Sequence, residues 1–188
     1  FKRISYQDII NRMAYILQEE KIGYDEQALH IIARSANGGM RDALSLLDQI
    51  ISYGSDAVTF ENAVKVSGSL TEEMMISFSS ALLHEETESA LQLLQEILSA
   101  GKEAGRFLEE MILFARDVLV YQQTNGKAFA DNTQQYSEAF QTFSQEAPAT
   151  FLYEMIEAFN ETQGEMRFST QPDIYLEALA VKLSQSKA

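Results

Sequence analysis

Asn37-Gly38-Gly39-Met40-Arg41-Asp42-Ala43-Leu44-Ser45-Leu46-Leu47-Asp48-Gln49 is the stretch on which the reading of this chain turns. Two glycines break an apolar pattern. Beyond them, apolar residues recur at Met40, Ala43, Leu44, Leu47 and Ile51. That spacing is one face of a helix. Arg41 falls off the stripe, on the side of Ser45, Asp48 and Ser52. A helix's first turn offers unpaired N–H groups and a positive dipole end, and a guanidinium beside it adds forked donors. Such a corner suits a phosphate. The same residues also suit a helix cap followed by a turn with two solvated charges, and spacing leaves both readings open.

The stretch resembles the sensor-2 helix in the lid of the bacterial clamp-loader ATPases, the gamma/tau family of DNA polymerase III. Gly38, Arg41, Asp42, Ala43, Leu44, Ser45, Leu46, Asp48 and Gln49 carry the likeness. Phe1-Lys2-Arg3-Ile4 resembles the entry to that lid, and Ala28-Leu29 with Ile31-Ile32-Ala33 resembles the helix before the glycines. The resemblance implies that Arg41 reaches toward the γ-phosphate of ATP and reports nucleotide state to the lid.

Upstream, Ser5 with Asp8 three residues on reads as a helix start, and Gly23 as that helix's end. Asp25 is expected to cap the next helix. Downstream, Gly54-Ser55-Asp56 reads as a turn, and Thr59 caps a short helix with Phe60, Ala63 and Val64 inward. Strand-type alternation is lacking. Residues 1–66 are therefore expected to form a small helical bundle, the lid.

Gly68-Ser69 marks a boundary where composition turns acidic, and residues 67–188 read as a second all-helical domain. Thr71 opens a helix with Met74, Met75, Phe78, Ala81 and Leu82 inward, and Gly101 stops the one that follows it. A long helix from near Gly105 through Leu119 is apolar on more than one side and so belongs at the centre. From Gln122 to Asn132 the polar run reads as a mobile loop, and helix resumes through Tyr136, Ala139 and Phe140. Pro148 starts another helix, and a last one carries Ile174, Leu176 and Leu179 inward. This part is similar to the collar of the same family, through Gln171-Pro172, Leu176-Glu177 and Lys182-Leu183; Asp173 stands where many relatives are basic or neutral. The resemblance implies side-by-side packing of subunits: the chain itself, and delta and delta-prime types. It implies that a sliding clamp and primer–template DNA are met only through the full assembly.

Composition limits the alternatives. The 188 residues are 46% hydrophobic with no cysteine, which excludes disulfides and thiolate metal sites. No membrane-spanning run or signal peptide is visible, so a soluble, cytoplasmic protein is expected, and the start at Phe1 reads as a cut piece of a longer one. Residues 1–66 hold 7 Lys/Arg against 9 Asp/Glu, and residues 67–188 hold 7 against 19. The second part would repel a phosphate backbone, so no autonomous nucleic-acid binding is expected there.

Catalytic machinery is not visible. There is no Gly-x-x-x-x-Gly-Lys-Ser/Thr loop to hold a nucleotide. His84-Glu85-Glu86 lacks a second histidine one turn on, and His30 is isolated, so neither reads as a metal site. The adjacent pairs Glu72-Glu73, Glu85-Glu86 and Glu109-Glu110 diverge on a helix and cannot work as an acid–base pair on one substrate. The expectation is a non-catalytic, all-α chain from an ATPase subunit of DNA polymerase III, with ATP bound mainly by a domain upstream. The competing expectation is a helical interaction adaptor whose acidic face docks a basic partner.

Overall fold

The computed structural model describes residues 5–36, 39–53, 56–127 and 137–185. The Phe1–Ile4 entry, Asn37-Gly38, the Gly54-Ser55 turn, residues 128–132 of the expected loop, and Tyr136 lie outside the described residues. The chain divides into two compact units, Phe1–Ser69 and Leu70–Ala188. Both are helical, as the periodicities require.

The first unit runs α1 (Tyr6–Glu19), β1 (Gly23–Tyr24), α2 (Glu26–Ser35), α3 (Met40–Ser52), β2 (Ala57–Val58) and α4 (Phe60–Ser67). Ser5 caps α1 by accepting from the Asp8 N–H at 3.1 Å, and Thr59 caps α4 through the Asn62 N–H at 3.1 Å. Gly23 does not end α1. The helix closes earlier, with Lys21 left-handed at φ 59° and the Ile22 N–H reaching back to Leu17 O at 2.8 Å. This is the double-bonded helix end that usually employs glycine. Gly23 is instead in β1, which pairs in parallel with β2 over two residues. A pair this short leaves no alternation for a sequence pattern to reveal.

Asp25 stands at the start of α2, but its carboxylate does not cap that helix. It accepts from the Phe60 N–H at 3.1 Å, while its own N–H donates to Val58 O at 3.0 Å. One aspartate thus binds the beginning of α2 to the beginning of α4. The core gathers Ile9, Met13 and Leu17 from α1, Leu29 and Ile32 from α2, and Leu47 from α3. Ile50 on α3 is wholly buried, while Ile51, Met40 and Leu44 only border the core. The inward face of α3 is therefore turned from the expected stripe by about one position.

The second unit contains α5 (Glu72–Leu83), α6 (Thr87–Ser99), α7 (Ala104–Thr124), α8 (Glu138–Glu146), α9 (Ala149–Glu165) and α10 (Pro172–Ser184). Thr71 caps α5 through the Met74 N–H at 3.1 Å. The 21-residue α7 buries Phe107, Leu108, Met111, Phe114, Ala115 and Val118 and packs mainly against α9. Aromatic edges lock the neighbours on: Phe78 meets Phe107 at 5.4 Å, and Tyr121 meets Phe140 at 5.4 Å.

Four expectations for this unit need correcting. Met74 and Ile174 are exposed rather than inward, because Met75 and Leu176 take the core-facing positions of α5 and α10. Ala139 is exposed for the same reason, with Phe140 taking the inward place. The polar run from Gln122 does not begin as a loop. Gln122, Gln123 and Thr124 finish α7, and the Gln122 amide donates to Ser144 O at 2.8 Å and to Ala147 O. A polar side chain here closes the link between α8 and α9.

Candidate functional site

The corner before α3 is built from short-range bonds. The Gly39 N–H donates to Ala36 O at 3.0 Å, fixing the end of α2 against the start of α3, and the Ala43 N–H donates to Gly39 O at 3.1 Å. A Cβ on Gly39 would lie 3.3 Å from Ala36 O and 3.3 Å from an Asp42 carboxylate oxygen. The absence of a side chain lets both approach. Behind the corner, Ala43, Leu47 and Ile50 sit in the core at 0%, 2% and 0% exposure, so α3 has one fixed rotation about its axis.

That rotation decides what Arg41 can do. It is the second residue of α3, fully on the solvent side, with no hydrogen bond or ion pair to another described residue. Asp42, beside it in the first turn, is exposed too. A carboxylate at a helix N-terminus is favoured by the dipole, whereas a guanidinium is not. The helix dipole therefore does not account for a cation at position 41. The arrangement leaves the forked donors of Arg41 on the surface next to the first turn of α3, where N–H groups lack intrahelical partners.

The other candidate residues are engaged separately. His84 closes α5, its Nδ1 2.9 Å from Ser80 O and its Nε2 facing Glu146. His30 is half-buried on α2. Glu109 faces Arg106 at 3.6 Å on the surface, while Glu110 turns inward to Lys102 and accepts from the Leu70 N–H at 3.2 Å. The adjacent pair thus diverges, as helical geometry requires. Glu72 accepts from the Ser137 hydroxyl, and Glu86 stands at the start of α6. Among the described residues, no group of three or more metal-ligating side chains is brought together. None of their helices is long and apolar enough to cross a membrane.

Two polar features had no sequence signal. Lys102 and Glu110 form an ion pair with side chains only 9% and 16% exposed. The Ser35 and Ser69 hydroxyls bond to each other across 34 residues. Neither pair has a spacing that a motif would pick out.

Comparison with known proteins gives these positions a family. Residues 8–56 match the ATPase lid domain of the DNA polymerase III clamp loader subunit, and residues 58–188 match domain III of the DNA polymerase III subunits gamma and tau. The chain is 37% identical over 186 residues to the DNA polymerase III subunit tau of Bacillus subtilis, covering 99% of this chain and 33% of that protein. It is 32% identical over 111 residues to the tau subunit of Escherichia coli, covering 59% of this chain and 17% of that protein. The DNA clamp loader delta protein of Bacillus subtilis has a similar fold, with TM-score 0.55 at 13% identity over 98% of this chain and 58% of that one. The chain thus spans about a third of the length of the Bacillus tau subunit, or less than that of its Escherichia counterpart.

Proposed function

The chain belongs to the DNA polymerase III gamma/tau clamp-loader family, carrying the ATPase lid and domain III, and from that premise we propose that it couples ATP binding to subunit assembly in a replicative clamp loader. In this reading the first compact unit is a nucleotide-responsive lid. Arg41 is its sensor, contacting the γ-phosphate of an ATP held mainly by a domain preceding this segment in the parent protein. The second unit is the collar that holds neighbouring loader subunits together, and clamp and primer–template DNA are engaged only by the complete assembly.

Arg41 carries the reading. It is exposed, unpaired among the described residues and seated on a helix whose rotation the core fixes. A ligand shifts a conformational equilibrium only through contacts that differ between the two states. A forked, charge-assisted bond made to ATP but not to ADP is such a contact. The collar role draws support from the match of residues 58–188 to domain III and from the six-helix unit built around α7.

The test is Arg41→Ala and Arg41→Lys in the parent protein that includes the nucleotide-binding domain. Loss of one charge-assisted contact of about 1.5–3 kcal/mol corresponds to roughly a 10- to 150-fold weaker ATP-dependent response. ADP affinity should be little changed. Lysine should restore only part of the response, since it supplies a point charge without the fork. Equal weakening of ATP and ADP, or of neither, rejects the sensor role. Sedimentation equilibrium of the chain tests the collar separately, with self-association or assembly with other loader subunits expected.

A further inference from the structure

Within the second unit, the join between α9 and α10 is tied from inside. The Ser169 N–H donates to Met166 O at 3.0 Å, the Gln171 N–H donates to the Ser169 hydroxyl at 3.0 Å, and Pro172 opens α10. Met166 and Leu176 anchor the two ends of the join in the core. Between them, Phe168 is 91% exposed, more than any other large apolar residue among those described. Arg167 beside it is exposed, with no hydrogen bond or ion pair to another described residue. A lone apolar residue on a surface is ordinary. A phenylalanine held almost wholly in water by a tied turn, next to such an arginine, is a different case. These two side-chain types are enriched where proteins meet, and a turn that is already ordered loses little freedom on binding.

The solvent face of α9 has the complementary character. Leu152, Met155 and Phe159 are wholly buried, which fixes the rotation of the helix. Glu157, Glu161 and Glu165 lie exposed on the other side, and their four-residue steps put them on successive turns of one face. None of the three carboxylates has a hydrogen bond or ion pair to another described residue. Like charges at that spacing weaken a helix. Gly164 is exposed on the same side, and a Cβ added there would meet nothing within 4 Å. No neighbour among the described residues requires a glycine at that place, although glycine weakens a helix interior. It leaves bare backbone beside the glutamates, open to the approach of a ring.

We propose that the Arg167–Phe168 turn of one copy of the chain docks on the α9 face of a second copy, with Phe168 against Gly164 and Arg167 among Glu157, Glu161 and Glu165. The use of this contact in a loader rests on the collar reading, and the contact names which surfaces of the second unit meet. Charge selects the occupant. Residues 67–188 hold 7 Lys/Arg against 19 Asp/Glu, so two copies repel except where a cation of one meets acids of the other. Lys102 is engaged inside by Glu110, while Arg106 and Arg116 pair with Glu109 and Asp117 on their own helix. Arg167 has no such local acid bonded to it, and it stands beside the most exposed ring. Because the turn and the face are different surfaces, the contact runs head to tail, the arrangement from which rings close.

The experiment is sedimentation equilibrium of the 188-residue chain with the charges exchanged between the two surfaces. The parent chain should self-associate. Phe168→Ala, Arg167→Glu, and the pair Glu157→Lys with Glu161→Lys should each weaken association at least about 30-fold, the loss typical of a central interface residue. An equimolar mixture of the two charge variants should associate again, because the reversed turn of one meets the reversed face of the other while the native turn and face also meet. Recovery in the mixture shows that neither variant had lost association by unfolding. Variants that associate like the parent, a mixture that stays monomeric, or a parent that is monomeric at every concentration each overturn the proposal. The first of these leaves the collar reading standing with its interface elsewhere, and the last leaves it to be tested with unlike loader subunits. Charge-exchanged association by a chain that joins no loader subunit would instead end the collar reading and leave this contact standing.

Discussion

Replacing Lys102 with methionine should destabilise the second compact unit far more than its place at a helix connection suggests. The two side chains of the Lys102–Glu110 pair are 9% and 16% exposed. Removing one member of a buried pair costs about 3–5 kcal/mol, because a carboxylate is left without its counter-charge. Glu110 keeps the Leu70 N–H as a donor and retains some access to water, which lowers the expected cost to about 2–4 kcal/mol. Methionine preserves most of the lysine stem, so lost packing contributes little. For a unit of this size each kcal/mol moves the midpoint by roughly 3–6 °C, so a fall of about 10 °C is expected. The assay is hydrogen exchange followed by mass spectrometry through a thermal or urea series, which reads each unit separately. Peptides from α7 and α9 should lose protection early, and those from α1 and α3 should not. Adding Glu110→Gln, which removes the charge and keeps an acceptor for Leu70, should recover stability to within about 1 kcal/mol of the parent. A single variant that melts with the parent, or a double variant no better than the single, would refute the view that the charges are coupled in a desolvated place.

Three further outcomes follow from individual positions. Lys21→Gly should stabilise the first unit by about 1 kcal/mol, since Lys21 holds a left-handed conformation at φ 59° that costs a residue with a Cβ roughly that much; a lower urea midpoint would contradict this. Gln122→Ala removes two bonds to the Ser144 and Ala147 carbonyls and should cost about 1–3 kcal/mol, with earliest exchange at the α8–α9 link. Arg41→Ala should leave the melting midpoint unchanged or slightly raised, because it removes a cation from the first turn of a helix where it has no partner among the described residues; a fall of several degrees would give Arg41 a structural role.

The helices were legible because their apolar positions repeat and their caps are local. Ser5, Thr59 and Thr71 each bond to the N–H three residues later, an arrangement that a four-residue window contains in full. What escaped the sequence depends on residues far apart. The Asp25 carboxylate caps nothing in α2 because a better donor, the Phe60 N–H, arrives from 35 residues downstream. Gln122 reads as loop by composition until the carbonyls of Ser144 and Ala147 are placed beside it. Helix ends misled where side chains other than glycine took left-handed positions: α5 closes with Glu85 at φ 59° much as α1 closes with Lys21, whereas α4 and α6 use glycines, Gly68 and Gly101. Tertiary packing selected these conformations over local preference. At the candidate site, the position of Arg41 off the apolar face was readable from spacing. Its lack of a partner among the described residues was not.

That lack of a partner among the described residues bears on the two meanings the glycine corner can have. A corner that only ends one helix and begins another gains nothing from a cation in its second helical position, where the dipole disfavours it; an acid there stabilises by about 0.3–1 kcal/mol. Asp42 already supplies an acid one residue further on, and the core behind it, Ala43, Leu47 and Ile50, would hold α3 equally well with a small residue at position 41. Among the described residues the guanidinium thus makes no bond that holds the fold, while carrying a small electrostatic cost. A charge kept under those terms, on a helix whose rotation is fixed and beside N–H groups that an anion could share, supports the proposed role of Arg41 as a contact for an anion from outside the chain. Within a family matched as an ATPase lid, the proposed partner for such a fork of donors at a helix N-terminus is a phosphate, whose oxygens a guanidinium engages in pairs and a lysine does not.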